Sequence, residues 1–397
     1  MSGAPTPLAG LKVVEFTHMV MGPTCGVVLA DLGADVVKVE PAPDGDNTRR
    51  LVGSGIGFFT CFNRNKRSLA VDLKSPEGLT LVKKLAARAD VVIENFRPGA
   101  MDRLGLGYAA LSAGNPGLVY CSCKGFLPGP YEHRVALDEV VQMMGGLAYM
   151  TGPVGQPLRA GSSVNDIMGG TFGAVAILAA LQERNATGRG RHVESGLFEN
   201  TALLVAQHMA QTTITGQEPP PMSVRRVAWP IYDIFETADG GQVFVGVVTD
   251  TQWKLFCAEF RLDGLASDPA LVTQAQRTQA RDRVLPVVAA ALRQATKAEL
   301  MATCERLGLP FAPIARPAEL LDDPHLNAEG GMLHYPLPDG RPNKLPALPM
   351  AFDEKRLGLR RKLPQPGEHG AEIAAELGYD DAEIAALRKA GVLSIPA

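Results

Sequence analysis

Residues 159–190 have the sequence RAGSSVNDIMGGTFGAVAILAALQERNATGRG. The fifteen residues from Ile167 to Leu181 are uncharged and small or apolar, which predicts a tightly packed core helix. Asp166 immediately precedes this run. An aspartate at a helix start accepts hydrogen bonds from free backbone N–H groups or offsets the helix dipole. A carboxylate beside small residues, where an acyl group can approach closely, also suits a covalent nucleophile. The residues alone leave both interpretations open.

Length, charge and cysteine usage limit the classes of protein to which this chain can belong. A chain of 397 residues exceeds one ordinary core, and its net charge of -3, with both signs interspersed, disfavours nucleic-acid or anionic-membrane partners. Its six cysteines lack paired spacing, so we predict reduced core thiols and no metal site. We find neither a signal-like N-terminus nor an apolar stretch of the ~18 residues that a membrane span needs. We therefore expect a soluble, cytoplasmic protein.

The first half alternates predicted strands and helices. Residues 11–16 and 34–40 read as buried strands joined by a helix, and further strands follow at 90–96 and 118–123. This alternation predicts an α/β fold, with a doubly wound parallel sheet in a large domain. Such sheets bind ligands at the carboxyl ends of their strands.

A cluster of cations surrounds a further predicted strand, within residues 63–74. It comprises Arg64, Lys66, Arg67 and Lys74. Either the cluster is a solvated strand edge, or it binds phosphates through charge-assisted hydrogen bonds.

The character of the chain changes after Gly216. Alternating apolar residues from Tyr232 to Val247 flank an Asp-Gly-Gly turn, which predicts a β-hairpin. We therefore predict a large α/β domain over residues 1–215, a smaller α+β domain over 216–333, and an extension over 334–397 that returns to the large domain. Within the first of these, Asp138 and Gln142 lie one helical turn apart. Their side chains either support a functional site or are simply polar groups exposed to solvent.

Several motifs together resemble the class III CoA-transferases, or CaiB/BaiF family, over nearly the whole chain. This family includes formyl-CoA, carnitine and short dicarboxylate CoA-transferases and the α-methylacyl-CoA racemases. The motifs that carry the resemblance are residues 11–15 with Gly22-Pro23, residues 29–40, Asn65-Lys66-Arg67-Ser68, residues 94–99, Asp166 with its glycine-rich helix, and Thr187-Gly188-Arg189-Gly190.

The resemblance implies an interlaced homodimer and a catalytic aspartate at Asp166 that forms acyl-anhydride and CoA-thioester intermediates. It implies coenzyme A, as an acyl-CoA co-substrate, and a carboxylic acid as the small-molecule partners, with no metal. The positions at which the family contacts CoA are His18, Met19, Val20, Val71, Lys74, Asn95, Phe96, Arg97, Ala100, Arg103 and Lys124. The family also places the helix of Asp138 and Gln142 near the active site.

Two alternatives remain. In the racemases a histidine immediately precedes the aspartate at the place of Asp138; here that residue is Leu137, so Asp166 lacks the partner that two-sided proton transfer needs. We therefore favour the transferase. A catalytically silent subunit of a hetero-oligomeric CoA-transferase is the second alternative, and the presence of Asp166 argues against it.

The substrate is a hypothesis. The sequence around residues 159–170 is most similar to family members that handle short dicarboxylates, which suggests succinyl-CoA or another short dicarboxyl-CoA as donor. Arg159, Arg225 and Arg226 are candidates to bind a second carboxylate, which two guanidinium groups hold well. For each of them, and for Arg134, surface charge is the alternative.

Overall fold

The computed structural model describes residues 6–225 and 227–396. Two compact units are present. One comprises the described residues up to Ser223 and from Pro324 onward, and the other comprises Val224–Asp323. The predicted segments differ from these units at both boundaries, because residues 216–223 and 324–333 pack with the first unit.

The strands are spread along the whole chain. They are β1 (Lys12–Phe16), β2 (Asp35–Pro41), β3 (Arg67–Val71), β4 (Val91–Glu94), β5 (Val119–Lys124), β6 (His192–Gly196), β7 (Ile231–Glu236), β8 (Gln242–Val247), β9 (Phe311–Pro313), β10 (Met332–Pro336), β11 (Pro342–Pro346), β12 (Ala351–Phe352), β13 (Lys355–Arg356) and β14 (Leu393–Ser394).

The helices connect and cover these strands. They are α1 (Met21–Asp31), α2 (Phe58–Phe62), α3 (Pro76–Ala87), α4 (Ala100–Arg103), α5 (Tyr108–Gly114), α6 (Asp138–Met144), α7 (Leu147–Thr151), α8 (Val164–Thr187), α9 (Leu197–Thr215), α10 (Asp250–Glu259), α11 (Asp263–Ala266), α12 (Gln274–Gln279), α13 (Arg281–Leu292), α14 (Lys297–Arg306), α15 (Pro324–Asn327), α16 (Gly370–Glu376) and α17 (Asp381–Lys389).

A seven-stranded sheet organises the first unit, in the order β14-β3-β2-β1-β4-β5-β6. Strands β1 to β6 pair in parallel, and the strand order reverses direction between β1 and β4. The short β14 joins the edge of the sheet antiparallel to β3. The predicted α/β fold with a large parallel sheet is confirmed.

Both faces of this sheet are covered, because alternate residues of a strand point to opposite sides. Val14 and Val92 pack on one face with α3 and the C-terminal helices α16 and α17. Val13 and Val91 pack on the other face with α1 and α8. The strands are therefore apolar on both sides, which explains their near-continuous hydrophobic sequences.

The central helix α8 extends further than its uncharged run. By length and composition alone it would suffice to cross a membrane, but a core helix of a soluble protein passes the same test. Gly170 lies against the backbone of Met21, and Gly173 lies against the Cys25 sulfur. This register makes α8 parallel to α1, so both helices begin at the carboxyl edge of the sheet.

The second unit has its own core. Strands β7 and β8 form the predicted hairpin, with Ile231 opposite Val247 and Glu236 opposite Gln242. Strand β9 adds to β8, and helices α10, α11, α13 and α14 pack apolar side chains in the core of this unit.

Candidate active site

Asp166 is the third residue of α8, whose N-cap residue Ser163 makes no capping hydrogen bond through its side chain. The capping group comes from another helix. The backbone N–H groups of Asn165 and Asp166 donate to Asp138 Oδ2 over 2.9 and 3.1 Å. The interpretation of Asp166 as the helix cap is therefore wrong, since Asp138 on α6 performs that role.

The Asp166 carboxyl is in an electrostatically unfavourable place. Burial raises its pKa to about 7, the negative charge of Asp138 adds to this rise, and Arg159 opposes it. Within the described residues, no hydrogen bond reaches the Asp166 side chain. Such a carboxylate is poorly solvated and more basic than an ordinary aspartate, which suits a nucleophile.

A hydrogen-bonded network fixes the segment that precedes α8. Gln142 Nε2 donates to Asp138 Oδ1 over 2.5 Å, and Gln142 Oε1 accepts from the Ala160 N–H over 2.8 Å. The Arg159 guanidinium donates to Asp138 Oδ1 and to the Ser162 carbonyl. Asp138 and Gln142 are buried, so the alternative that they are solvent-exposed polar groups is wrong for both.

The carboxyl edge of the sheet brings several predicted CoA positions together. The His18 N–H donates to Asn95 Oδ1 over 3.0 Å, and Asn95 Nδ2 donates back to the His18 carbonyl over 2.9 Å. The rings of His18 and Phe96 lie 5.6 Å apart. Lys124 Nζ pairs with Glu94, whose second carboxylate oxygen accepts from the Phe96 N–H.

Three exposed cations lie beyond the strand ends. They are Lys74, Arg97 and Arg103, and among the described residues none of them forms a salt bridge. Ala100, half-buried, begins the short helix α4 that carries Arg103. These side chains are available to an anionic ligand such as a phosphate.

Two of the predicted CoA positions, Val20 and Val71, have buried side chains. The Val71 side chain is buried in the core next to β14, and the Val71 carbonyl accepts a hydrogen bond from the Ala42 N–H. Val20 is also buried, whereas the preceding residue Met19 is partly exposed. Contact of CoA with Val71 and Val20 stays a prediction.

The proposed phosphate cluster is also largely wrong. Arg64 pairs with Asp31, Lys66 with Glu15, and Arg67 with Asp35 together with Glu372 and Glu376. All three cations are buried, and a buried charge requires a partner. Because carboxylates of the protein already pair with them, they are not free to bind phosphate. Lys74 alone of the four is exposed.

The arginines predicted as candidates to bind a second carboxylate lie in different parts of the structure. Arg159 lines a cavity of about 1350 Å³ together with Ser163, Ile167 and Phe58. Arg225 is exposed and belongs to the second unit. Arg226 lies outside the described residues. Arg134 stacks on the ring of Tyr131, 4.1 Å from its centroid.

Three thiols meet in the core, which the cysteine spacing did not suggest. The sulfurs of Cys25, Cys121 and Cys123 lie within 4.8 Å of one another, and all three residues are buried. Cys121 and Cys123 are two residues apart on β5 and share a face, and Cys25 approaches from α1. Buried thiols of this kind pack as small apolar groups, and the absence of a metal stays a prediction.

Sequence reasoning missed the residues that hold the turn after β1. The Met19 N–H donates to Thr48 Oγ1 over 3.0 Å, and the Thr48 hydroxyl donates to Asp46. The sequence offered one weak signal, the Asp-Asn-Thr start of a short 3₁₀ helix at Asn47–Arg50.

Comparisons with known proteins agree with this arrangement. Residues 8–370 match the model of CoA-transferase family III. The chain is 34% identical to a succinate–glutarate CoA-transferase of Agrobacterium fabrum, over 95% of this chain and 97% of that protein. It is 32% identical to a succinyl-CoA–D-citramalate CoA-transferase of Chloroflexus aurantiacus, over 98% of each.

A solved structure agrees as well. A CaiB/BaiF family protein from Brucella suis superposes with a TM-score of 0.83 and 35% identity, over 94% of this chain and all of that one. The match over nearly the whole length shows that this chain is an enzyme and belongs to CoA-transferase family III.

Proposed function

We propose that this enzyme moves CoA from a short dicarboxyl-CoA, such as succinyl-CoA, to a carboxylic acid through covalent intermediates on Asp166. The observation that carries this proposal is the state of the Asp166 carboxyl. It is half-buried, its pKa is raised to about 7, and within the described residues it accepts no hydrogen bond. A structural carboxylate in such a place would be paired.

The first half of the reaction loads CoA onto the enzyme. An Asp166 oxygen attacks the thioester carbonyl carbon, the carbon–sulfur bond breaks, and CoA leaves as thiolate from a mixed anhydride. The thiolate then attacks the Asp166 carbonyl carbon, which releases the donor as a carboxylate and leaves an aspartyl-CoA thioester. One thioester is broken and one is formed, so the energy of the thioester bond is retained and ATP is not needed.

The second half reverses these steps on the acceptor. Its carboxylate attacks the Asp166 carbonyl carbon and expels CoA thiolate, giving a new mixed anhydride. The thiolate attacks the acceptor's acyl carbon and frees the Asp166 carboxylate. Each addition forms an oxyanion that needs donors. The N–H groups of Asn165 and Asp166 already serve Asp138, so other donors must stabilise it.

The charges at the sheet edge support the binding of CoA. Lys74, Arg97 and Arg103 are exposed near the strand ends, where they would meet the phosphates of the ADP group. Arg and Lys bind phosphate by charge-assisted hydrogen bonds. The aromatic pair of His18 and Phe96 offers an apolar surface beside them.

The dicarboxylate specificity rests on two lines of support. The relatives named above act on succinate, glutarate or citramalate by their names. Arg159 lines the cavity next to α8 and retains partial exposure, so it is a candidate partner for a second carboxylate. Arg225 and Arg226 are further candidates to bind a carboxylate.

We further propose that the enzyme is a cytoplasmic homodimer with interlaced subunits. Apolar side chains are exposed on α8 and α9, among them Val175, Leu203, Met209 and Ile214. Contiguous exposed apolar surface is typical of a subunit interface. Light scattering after size-exclusion chromatography should give twice the chain mass, and a monomer at micromolar concentration would contradict this.

One incubation tests the chemistry. The protein is mixed in D2O with succinyl-CoA or a branched acyl-CoA and a panel of unlabelled carboxylic acids, and all CoA species are read by mass spectrometry. We expect new acyl-CoA masses that disappear in Asp166→Asn and persist in Glu183→Gln, a matched change of an exposed carboxylate on the same helix. Deuterium at the α-carbon without acyl exchange would instead establish the racemase.

A second experiment tests the arginines. Arg159→Ala, Arg225→Ala and Arg226→Ala are each compared with wild type on dicarboxylate and monocarboxylate acceptors. Because Arg159 also contacts Asp138, a general loss is expected for that variant, and the ratio of the two rates is the informative quantity. Unchanged ratios in all three variants would remove the physical basis for carboxylate binding by these arginines.

A further inference from the structure

The turn between β1 and α1 has a strained backbone. Met19 adopts φ of 62°, a left-handed conformation that residues other than glycine rarely take. The turn lies at the carboxyl edge of the sheet, next to the N-terminus of α1. Such strain persists only where the surroundings enforce it, and it concentrates at functional sites.

Side chains from three other segments hold this turn. Lys38 Nζ donates to the Thr17 carbonyl over 2.6 Å, and the Asn95 amide bonds both backbone groups of His18. The Met19 N–H donates to Thr48 Oγ1 over 3.0 Å. Among the described residues, the Thr48 hydroxyl is therefore the side-chain group that hydrogen-bonds the backbone of the strained residue itself.

The Thr48 hydroxyl has a fixed orientation. It donates to Asp46 Oδ1 over 2.8 Å, which turns a lone pair toward the Met19 N–H. Asp46 Oδ2 pairs with Lys38 Nζ at 2.9 Å, and Thr48, Asp46 and Lys38 are all buried. Lys38 thus contacts the turn directly through Thr17 and indirectly through Asp46.

We infer that Thr48, oriented by Asp46 and Lys38, is a positioning residue that holds Met19 in its left-handed conformation and so shapes the turn against which acyl-CoA binds. This inference rests on the proposed function. Thr48 itself is buried and makes its hydrogen bonds within the protein, so its effect on the ligand passes through Met19.

The prediction concerns binding more than chemistry. Thr48→Val keeps the shape of the side chain and removes the acceptor of the Met19 N–H. We expect the KM for acyl-CoA, and the Kd for CoA itself, to rise about tenfold, the effect of one lost hydrogen bond, with kcat within about twofold. Thr48→Ser keeps the hydroxyl and should restore both constants.

Thr201→Val is the matched control. Thr201 is equally buried, and its hydroxyl donates to the Leu197 carbonyl within α9, away from the turn. Its loss should affect stability and leave the KM for acyl-CoA unchanged. Equal constants in Thr48→Val and Thr201→Val would overturn the inference.

A double-mutant cycle isolates the mechanism. Glycine takes positive φ without restraint, so in a Met19→Gly background Thr48→Val should raise the Kd for CoA by less than it does in wild type. An undiminished effect would show that Thr48 acts by another route. Calorimetric binding of CoA keeps this test separate from the proposed function, because wild type that binds CoA but transfers none would contradict only the latter.

Discussion

Glu15 and Asp166 are two carboxylates, the first fully buried and the second half-buried, in opposite electrostatic situations. Glu15 is fully buried on β1, with Lys66 Nζ at 2.8 and 3.0 Å from its two oxygens and Lys38 Nζ at 3.8 Å. Asp166 has another carboxylate, Asp138, as its principal charged neighbour. Lysine ammonium groups neutralise the charge of Glu15, whereas Asp166 forms no salt bridge within the described residues.

The surroundings of Lys66 complete that contrast. Its ammonium also donates to the Pro23 carbonyl and to Asn63 Oδ1, so its donors are used. Burial lowers the pKa of Lys66 to about 8, and Glu15 limits the fall. Paired buried charges of this kind serve the fold, whereas an unpaired carboxylate beside a like charge is the feature expected of a reactive group.

The largest expected effect is the loss of the uncompensated carboxylate. Asp166→Asn keeps the size of the side chain and removes the nucleophile, so CoA transfer should fall by at least about 10⁴-fold. The measurement is the steady-state rate with an established donor and acceptor. A variant that retains a tenth of the wild-type rate would refute the covalent role of Asp166.

Breaking the compensated pair should instead act on stability. Lys66→Met leaves Glu15 buried without its main partner and should lower the free energy of unfolding by about 3–5 kcal/mol. Urea denaturation followed by circular dichroism measures this. The double variant Glu15→Gln with Lys66→Met should recover part of the loss; a single variant as stable as wild type would mean that the pair contributes little.

The pH dependence of the rate should report the protonation of Asp166. Asp166 reacts as the carboxylate, and its pKa is raised to about 7, so the rate should fall as the pH drops below about 7. Asp138→Asn removes the repulsion and should move this acid limb to lower pH. An acid limb at the pKa of an ordinary aspartate, or one that Asp138→Asn leaves in place, would contradict the electrostatic account.

The smallest expected effect is the change in thermal stability when Asp166 is replaced. Because the pKa of Asp166 is raised in the folded state, the folded protein binds the proton more tightly, and stability is lost as the pH rises through about 7. Asp166→Asn should therefore raise Tm by a few degrees at pH 8 and little at pH 5. A lower Tm at pH 8 would show that the carboxylate supports the fold.

Much of the fold could be predicted from the sequence. Buried parallel strands are nearly continuous apolar runs, and β1, β2, β4 and β5 were recognisable for that reason. The hairpin of β7 and β8 has a local turn signal. The domain boundaries were not recovered, because the return of residues 324–333 to the first unit is a long-range event.

The site was recoverable only in part, for the same reason. Asp166 stood out through its local context, but the partners of Arg64, Lys66 and Arg67 are more than thirty residues away in sequence. A cation's sequence neighbours do not reveal whether it will be neutralised in the fold. The capping of α8 by Asp138 and the contact of Thr48 with Met19 are equally non-local.

The most direct measurement of the central claim is the detection of CoA covalently bound to Asp166. Wild type is incubated with a donor that it turns over, quenched in acid, and analysed by intact-protein and peptide mass spectrometry. We predict an adduct with the mass of CoA less one water, on the peptide that contains Asp166, absent from Asp166→Asn and discharged by an acceptor acid. Turnover without such an adduct, or the same adduct in Asp166→Asn, would contradict it.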